Sequence, residues 1–449
     1  MCHMLSAMCY ISYIMLKTIL RKIVVTIITL EARVVLWKYK PRIIAITGSV
    51  GKTSTKEAIC TVLRSKFFIW CSPKSFNTEI GLPLAIMGLP NAWGNIRGWF
   101  SVFFEGLALI FLKNHYPKLL VIEVGTDRPG DIQTITRWLH PEVVVFTRFG
   151  DVPVHVEFFG SREALLAEKS FLVTAVRRGG TLILNADDPE VLSLREKGKH
   201  AASSITFGLG GGADVKGSHL EIFYSNDGEI PLGVRAKIDH VGRMFPLKIN
   251  GTIGMQYGMV ALAAFATGIV SKINAVDILN ALEGFTIPPG RQKLIPGMRG
   301  SLIIDDSYNS SPVAVWAALD SLKALKVGGR KIVVFGDMLE LGKESANEHR
   351  KVGEKIKEFC DIFVGVGPRA ETMWEEALTS GMDTENARHF KDAYEARAYL
   401  KNAIQPKDVV LVKGSQSMRL ERIVEYIMSE PELAHELLVR QEKEWKSRP

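Results

Sequence analysis

Short runs of consecutive apolar residues recur along the chain, and each is followed by polar residues or glycine. Runs of about four to eight apolar residues that end in this way are typical of strands buried on both faces of a parallel sheet. Between them, apolar residues recur at helical spacing. This alternation predicts an α/β fold, with strands at 43–47, 119–124, 143–147, 181–185, 302–305, 331–335, 362–366 and 409–412.

A stretch of different character separates two series of strands. Residues 209–250 are rich in Gly, Asp and Lys and predict an appended β-meander or hairpin, and residues 255–282 predict helices. Two prolines and a glycine follow at 288–290, which favours a linker. We therefore expect a central domain of residues 41–287 with a parallel sheet. A Rossmann-like α/β domain would occupy residues 288–449.

Residues 1–40 form a separate apolar and basic segment, which we expect to be helical. The 449-residue chain has a net charge of +8, and residues 1–42 supply +6 of it, from seven basic side chains against Glu31. The remaining residues are nearly neutral, so we expect no nucleic-acid partner. Lys17, Arg21 and Lys22 interrupt the apolar runs before they reach the roughly 20 residues that a bilayer-spanning helix needs.

Two interpretations of this segment remain open. In the first, the segment is a helix that packs on the domain that follows, or the true start codon is Met4, Met8 or Met15. In the second, it is a helix that lies on an anionic membrane surface. The apolar stretch Trp99–Leu112, interrupted by Glu105 alone, is either a buried helix or part of the same membrane contact.

The cysteines and the overall composition narrow the class of protein. Five cysteines occur without a Cys-x-x-Cys pair, so we expect neither a disulfide scaffold nor a structural zinc site. This usage fits a reducing cytoplasm. The hydrophobic content of 47% excludes a wholly disordered chain.

The first strand is followed by a glycine loop and then by a helical pattern. In this arrangement the loop amides and the helix N-terminus face phosphate oxygens, Lys52 neutralises charge, and the Thr53 hydroxyl reaches Mg²⁺. Glu123 ends a neighbouring strand and is placed to hold the same ion. Ile46 stands where the common phosphate-loop pattern has its first glycine. The predicted loop comprises Gly48, Ser49, Val50, Gly51, Lys52, Thr53 and Ser54.

These residues resemble the Mur ligase family, whose phosphate loop characteristically lacks that first glycine. The resemblance covers about residues 41–449. The strings at 305–309 and 336–342 look most like the branch that joins D-alanyl-D-alanine to a muramoyl tripeptide. The matching motifs are Thr47–Ser54, Asn77–Leu84, Glu123-x-Gly125, Gly160-Ser161-x-Glu163, Lys169, Asn185–Pro189, Gly290-Arg291, Asp305–Asn309, Gly336–Gly342, His349 and Lys413–Ser415.

The resemblance implies an ATP-dependent amide-bond ligase of peptidoglycan precursor synthesis. ATP would phosphorylate a muramoyl-peptide carboxylate, and the amine of D-alanyl-D-alanine would attack the acyl phosphate. Lys169 would be carbamylated by CO₂; an ordinary solvated lysine is the alternative. The catalytic residues would be Lys52, Lys169 and His155, and the Mg²⁺ ligands Thr53, Glu123 and His155. Beyond the loop, ATP would contact Asn185, Arg291 and Asp306. The other two substrates would contact Asn77, Tyr308 and Asn309.

Three features depart from the family pattern. Two extra residues precede His155, and a His-Asn-x-x-Asn signature reads Ile253–Tyr257 here. The phosphate loop begins at residue 47, so we expect the family's UDP-binding N-terminal domain to be lacking. Alternatives are therefore a shortened ligase with a different or lipid-linked acceptor, a non-catalytic ATP-binding partner, or a folate polyglutamylating relative. We expect a cytoplasmic monomer; under the membrane-surface interpretation, residues 1–40 would be in peripheral contact with the inner membrane face.

Overall fold

The computed structural model describes residues 2–73, 76–93, 95–150, 156–198 and 200–447, with the backbone alone for residues 2–17 and 156. The strands are β1 Arg42–Thr47, β2 Ile69–Cys71, β3 Leu119–Glu123, β4 Val143–Phe146, β5 Thr181–Asn185, β6 Ser203–Gly208, β7 Val215–Tyr224, β8 Pro231–His240, β9 Arg243–Asn250, β10 Lys293–Pro296, β11 Leu302–Asp306, β12 Lys331–Gly336, β13 Ile362–Val366, β14 Ala387–Phe390 and β15 Val409–Lys413. The α-helices are α1 Cys2–Tyr39, α2 Lys52–Arg64, α3 Gly81–Met87, α4 Ile96–Phe111, α5 Asp131–Thr136, α6 Val156–Phe159, α7 Arg162–Thr174, α8 Pro189–Ser193, α9 Gln256–Val270, α10 Ala275–Glu283, α11 Pro312–Ala324, α12 Ser345–Lys355, α13 Ala370–Thr379, α14 Ala393–Ala403, α15 Glu421–Ile427, α16 Ala434–Leu437 and α17 Lys443–Lys446.

The first sheet has the strand order β2-β3-β1-β4-β5-β6-β7-β8-β9. Strands β1 to β6 pair in parallel, whereas β7, β8 and β9 form an antiparallel extension. Alternate residues of β1 enter different cores: Ile44 and Ile46 pack with α2 and α9, and Ile43 and Ala45 with the layer of α1, α3 and α7. Helices therefore cover both faces of β1, and the phosphate loop follows at its carboxyl end.

The second sheet has the order β10-β11-β15-β12-β13-β14. Only its edge strand β10 runs antiparallel to its neighbour, and the other pairings are parallel. Alternate residues of β12 again face two helical layers, with Val333 and Phe335 on one side and Ile332 and Val334 on the other. The carboxyl ends of β11 and β15 lie side by side, because Asp306 pairs with Lys413.

The predicted α/β class is confirmed, with a parallel-rich sheet and a second α/β sheet. All eight predicted strands are present, and residues 209–250 form the expected antiparallel extension. Strands β2, β6, β10 and β14 were not predicted. The predicted boundary at about residue 288 falls between α10 and β10, where the chain passes from one sheet to the other.

The cysteines differ from the expectation. Cys60 on α2 and Cys71 at the end of β2 form a disulfide, although no disulfide scaffold was expected. The two positions lie 11 residues apart without a recognisable motif, and the turn from α2 into β2 brings them together. Cys360 is a free thiol.

The helix α1 packs on the first domain along one side. Ile28, Ala32 and Val35 are buried there, in the same core as Val102 of α4. The ammonium of Lys38 donates to carbonyls in the last turn of α4 and just beyond it, at 2.7 to 2.9 Å, which satisfies unpaired acceptors at that end. Within the described part of the chain, no helix has both the length and the apolarity to cross a membrane.

Candidate active site

The phosphate loop, residues 48–51, connects β1 to the first turn of α2. Gly48 has φ 141°, and a Cβ atom there would lie 2.1 Å from the hydroxyl oxygen of Thr147. Gly51, with φ 82°, precedes the helix in a left-handed conformation. The Ser49 amide donates to a carbonyl just after β4 at 2.7 Å. The loop is therefore fixed at a helix N-terminus, where backbone amides bind phosphate.

Beside the loop, an acidic side chain meets a hydroxyl group. Thr53 Oγ1 donates to Glu123 Oε2 at 3.0 Å, and Asn77 Nδ2 donates to Glu123 Oε1 at 3.1 Å. Burial lowers the pKa of Lys52, and the Glu123 carboxylate acts in the opposite direction. Hydroxyl and carboxylate oxygens together form the hard donor set that Mg²⁺ prefers.

Lys169 on α7 is buried, with 3% of its surface exposed. Burial lowers its pKa well below the usual value, and the Lys52 ammonium lowers it further. The solvated-lysine alternative is therefore wrong. Its neighbour Glu168 has a different role, because it accepts three backbone amides around the start of α5 at 2.6 to 3.1 Å and so stabilises that helix end.

Arg291 of the second half of the chain reaches the phosphate loop. One of its guanidinium nitrogens lies 3.4 Å from Thr53 Oγ1, and its guanidinium carbon lies 3.9 Å from the centre of the Tyr308 ring. The hydroxyl of Tyr257 donates to the Arg291 carbonyl at 2.7 Å and lies 3.3 Å from Ser54 Oγ. Tyr257 thus connects the helix that carries the loop to the segment that carries Arg291.

The carboxyl ends of β11 and β15 carry a buried ionic group. Lys413 Nζ lies 2.9 Å from Asp306 Oδ2 and donates to the Asn309 carbonyl at 2.9 Å. Burial raises the pKa of Asp306, and Lys413 opposes that shift. Burial also raises the pKa of Asp305 to about 6, although its carboxylate accepts the Gly290 amide at 3.0 Å. These contacts hold the turn that follows β11.

One cavity of about 1840 Å³ lies where the two sheets' carboxyl ends meet. Asn185 lines it, with its side chain held by the amide of Asp187 at 2.9 Å. Of the predicted residues that the structure describes, only Gly48 and Lys169 do not line this cavity. His155 lies outside the described residues. The predicted residues on the cavity wall are Ser49, Val50, Gly51, Lys52, Thr53, Ser54, Asn77, Glu123, Asn185, Arg291, Asp306, Tyr308 and Asn309.

Two other residues of the recognised motifs have structural contacts. Asp337 accepts backbone amides at the start of α13 at 2.9 and 3.0 Å. His349 Nε2 accepts the Met338 amide at 3.0 Å, and burial lowers the pKa of this imidazole, which favours the neutral form that can accept. We therefore infer that both side chains maintain the conformation of the loop after β12 and have a structural role.

The wall residues that the sequence analysis did not assign include Tyr257, Lys413 and Arg440. Lys413 ends a predicted strand in a recognised motif, so its position at the sheet edge could have indicated it. Tyr257 ends the string that departs from the family pattern, and Arg440 lies outside the recognised motifs. Among the described residues, no group of three or more His, Cys, Asp or Glu is arranged to hold a metal ion.

Comparisons with known proteins agree with this geometry. The Mur ligase middle domain matches residues 106–243, and the Mur ligase glutamate ligase domain matches residues 290–416. A UDP-N-acetylmuramoyl-tripeptide–D-alanyl-D-alanine ligase of Bacillus subtilis is 27% identical over 401 residues, which cover 89% of this chain and 79% of that protein.

Solved structures give the same relationship. The MurF ligase of Thermotoga maritima in complex with ADP superposes with a TM-score of 0.73 at 27% identity, over 91% of this chain and 84% of that one. MurF from Acinetobacter baumannii gives 0.72 at 25% identity, over 89% and 79%. The chain carries the middle and C-terminal domains of the Mur ligases and belongs to that family.

Proposed function

We propose that the chain is an ATP-dependent ligase that joins D-alanyl-D-alanine to a muramoyl peptide in peptidoglycan precursor synthesis. One observation carries this proposal: the phosphate loop and Glu123 face Arg291 and Asp306 across a single cavity. A site between two domains can bring a nucleotide and two further substrates together out of bulk water. The names of the relatives support the same substrates.

The proposed reaction has two steps. An oxygen of the acceptor carboxylate attacks the γ-phosphorus of ATP, the bond to ADP breaks, and an acyl phosphate forms. The amine of D-alanyl-D-alanine then attacks the acyl carbon, phosphate leaves, and the nitrogen loses a proton. Negative charge on the transferring phosphoryl group would be stabilised by the Lys52 ammonium, the loop amides and the Arg291 guanidinium.

We propose Thr53 and Glu123 as Mg²⁺ ligands, because their side-chain oxygens lie 3.0 Å apart beside the phosphate loop. Mg²⁺ usually combines one or two protein carboxylates with substrate phosphates, and the ion would neutralise phosphate charge here. Asn77 fixes the Glu123 carboxylate through its other oxygen. The role of His155 as a further ligand stays a prediction.

We propose that Lys169 carries a carbamate. Its lowered pKa favours the neutral amine, which is the form that attacks CO₂. A nitrogen–carbon bond forms as one carbon–oxygen π bond of CO₂ breaks, the nitrogen loses one proton to solvent, and an anion replaces the neutral amine. The carbamate would attract the nearby Lys52 ammonium, whereas a protonated Lys169 would repel it. Carbon-13 NMR after incubation with labelled bicarbonate should show a carbamate signal that the Lys169→Ala variant lacks; a chain without that signal would contradict the proposal.

The other residues of the cavity wall suggest which part of the site binds each substrate. Asn185 and Asp306 are proposed to contact ATP together with the loop, since both line the cavity with it. Asn77 is proposed to face the acceptor, and Tyr308 and Asn309 the incoming amine. We propose the division into residues 41–287 and 288–449 as the two bodies that hold these substrates.

The oligomeric state and location follow as further proposals. We propose that the chain acts as a monomer in the cytoplasm, with residues 1–40 in peripheral contact with the membrane. Light scattering of the purified chain at micromolar concentration tests the first point, and a dimer mass would contradict it.

The deciding experiment is ATP turnover with a panel of substrate pairs. We expect turnover to require UDP-muramoyl tripeptide with D-alanyl-D-alanine, and to be lost in Lys52→Ala but kept in the exposed control Lys326→Ala. A requirement for a lipid-linked muropeptide would favour the shortened ligase instead. Turnover with folate and glutamate, ATP binding without turnover by any pair, or full activity of Lys52→Ala would contradict the proposal.

A further inference from the structure

The outward side of α1 carries a continuous apolar stripe. Its members are three or four residues apart, which places them on one side of the helix. This side is distinct from the buried side with Ile28, Ala32 and Val35, and Trp37 is the most exposed of the stripe at 76%. The stripe consists of Ile19, Ile23, Ile27, Leu30, Val34 and Trp37.

A line of basic residues runs beside this stripe. Lys22 and Arg33 are exposed and lie eleven residues apart, close to three helical turns. Lys40 is also exposed and directly follows the last residue of α1. On a helical projection Lys22 and Arg33 fall on the flank of the stripe that is turned away from α4. The contact with α4 lies on the other flank, where Glu31 approaches Gly106 and Lys38 reaches the end of that helix.

The helix α4 extends the apolar region. Ile96, Phe100, Phe104 and Phe111 are 61% to 79% exposed, and their spacing again defines one side of a helix. Only Val102 and Gly106 of α4 are buried, so the buried-helix interpretation of this stretch is wrong. The exposed sides of the two packed helices are hereafter the α1–α4 surface.

We propose that the α1–α4 surface binds an anionic phospholipid bilayer and lies on it without crossing it. Large apolar side chains beside a basic line are the pattern of a helix in the membrane interface, and tryptophan is favoured at that depth. Residues 18–40 and 96–118 contain eight Lys and Arg against Glu31 and Glu105. This excess complements the negative charge of anionic lipids, whereas a stripe without charge would fit a second protein equally well.

Sedimentation of the full chain with vesicles tests the proposal. We compare vesicles of phosphatidylcholine alone with an equal mixture of phosphatidylcholine and phosphatidylglycerol. We expect the chain to bind the mixture and to lose binding at high salt. Replacing Lys22, Arg33 and Lys40 together by Gln should weaken binding roughly 100-fold, since each basic residue near an anionic surface contributes roughly five-fold.

The apolar part has its own matched control. Phe100→Gln with Phe104→Gln should weaken binding at least about ten-fold, whereas Met244→Gln with Val276→Gln, at similarly exposed positions elsewhere, should leave it unchanged. All variants should keep vesicle-free ATP turnover, which separates this test from that of the reaction. The proposal would be overturned if the two double variants bound vesicles equally well, or if the full chain did not bind them. It would also be overturned if the full chain formed a dimer that the double phenylalanine variant abolished.

Discussion

Arg440 connects the end of the chain to the turn that carries Tyr308. Its guanidinium donates to the carbonyls of Ser307 and Tyr308 at 2.7 and 3.1 Å, and to Glu421 Oε2 at 2.7 Å. Glu421 is 1% exposed and also accepts from Arg419 Nε at 2.7 Å. We predict that Arg440→Met destabilises the protein strongly, because it removes three charged hydrogen bonds from a buried network.

The magnitude follows from what remains after the substitution. Removing one partner of a buried ion pair costs about 3–5 kcal/mol. Glu421 keeps Arg419 as a partner, so its charge is not left alone, and the two released carbonyls are neutral. We therefore expect the lower part of that range, about 3 kcal/mol in the free energy of unfolding.

An exposed pair of nearly the same geometry serves as the control. Arg235 Nε lies 2.8 Å from Glu221 Oε1, and both side chains are more than half exposed. Arg235→Met should therefore change the free energy of unfolding by about 0.2–1 kcal/mol. Urea unfolding followed by tryptophan fluorescence measures Arg440→Met in the transition that includes the C-terminal domain, and Arg235→Met in the transition that includes the middle domain. Equal losses for the two variants would refute the reasoning that burial sets the cost.

Three further predictions concern other parts of the molecule. Tyr257→Phe removes the buried hydroxyl that donates to the Arg291 carbonyl, so kcat/KM for ATP should fall about five- to ten-fold and the free energy of unfolding should fall by about 1 kcal/mol; unchanged kinetics would contradict this coupling. Burial raises the pKa of Glu31 to about 7, so the stability that its protonated form provides should be lost as the pH rises from about 4.5 through 7, and the melting temperature of Glu31→Gln should vary less over that range. Reducing the disulfide between Cys60 and Cys71 should lower the free energy of unfolding by about 2–3 kcal/mol, whereas the double serine variant should not respond to reductant.

The sequence was sufficient where local pattern determines structure. The strand, glycine loop and helix around Lys52 are adjacent in the chain, so their spacing predicted both the fold and the phosphate-binding geometry. Short or polar strands were not predictable in this way: β2 has three residues, and β14 contains Arg388 and His389. Their pairing depends on neighbouring strands that are distant in the sequence.

Contacts across the chain were also beyond local pattern. Tyr257 meets Ser54 over a separation of 203 residues, and Arg440 meets Ser307 over 133. The position of Lys169 directly after Glu168 is typical of a solvated lysine, yet its side chain is buried and interacts with Lys52 and Glu123, which are distant in the sequence. The apolar run in α4 suggested burial or membrane contact, and only the packing on α1 showed which of its sides is left exposed.

The formation of an acyl phosphate is tested most directly by oxygen transfer. The acceptor carboxylate would be labelled with oxygen-18, and the inorganic phosphate released during synthesis would be analysed by mass spectrometry. The proposed reaction predicts that each phosphate released carries one oxygen from the acceptor, and that release depends on the acceptor and the amine together. Phosphate without the label, released at the same rate whether or not the acceptor is present, would contradict it.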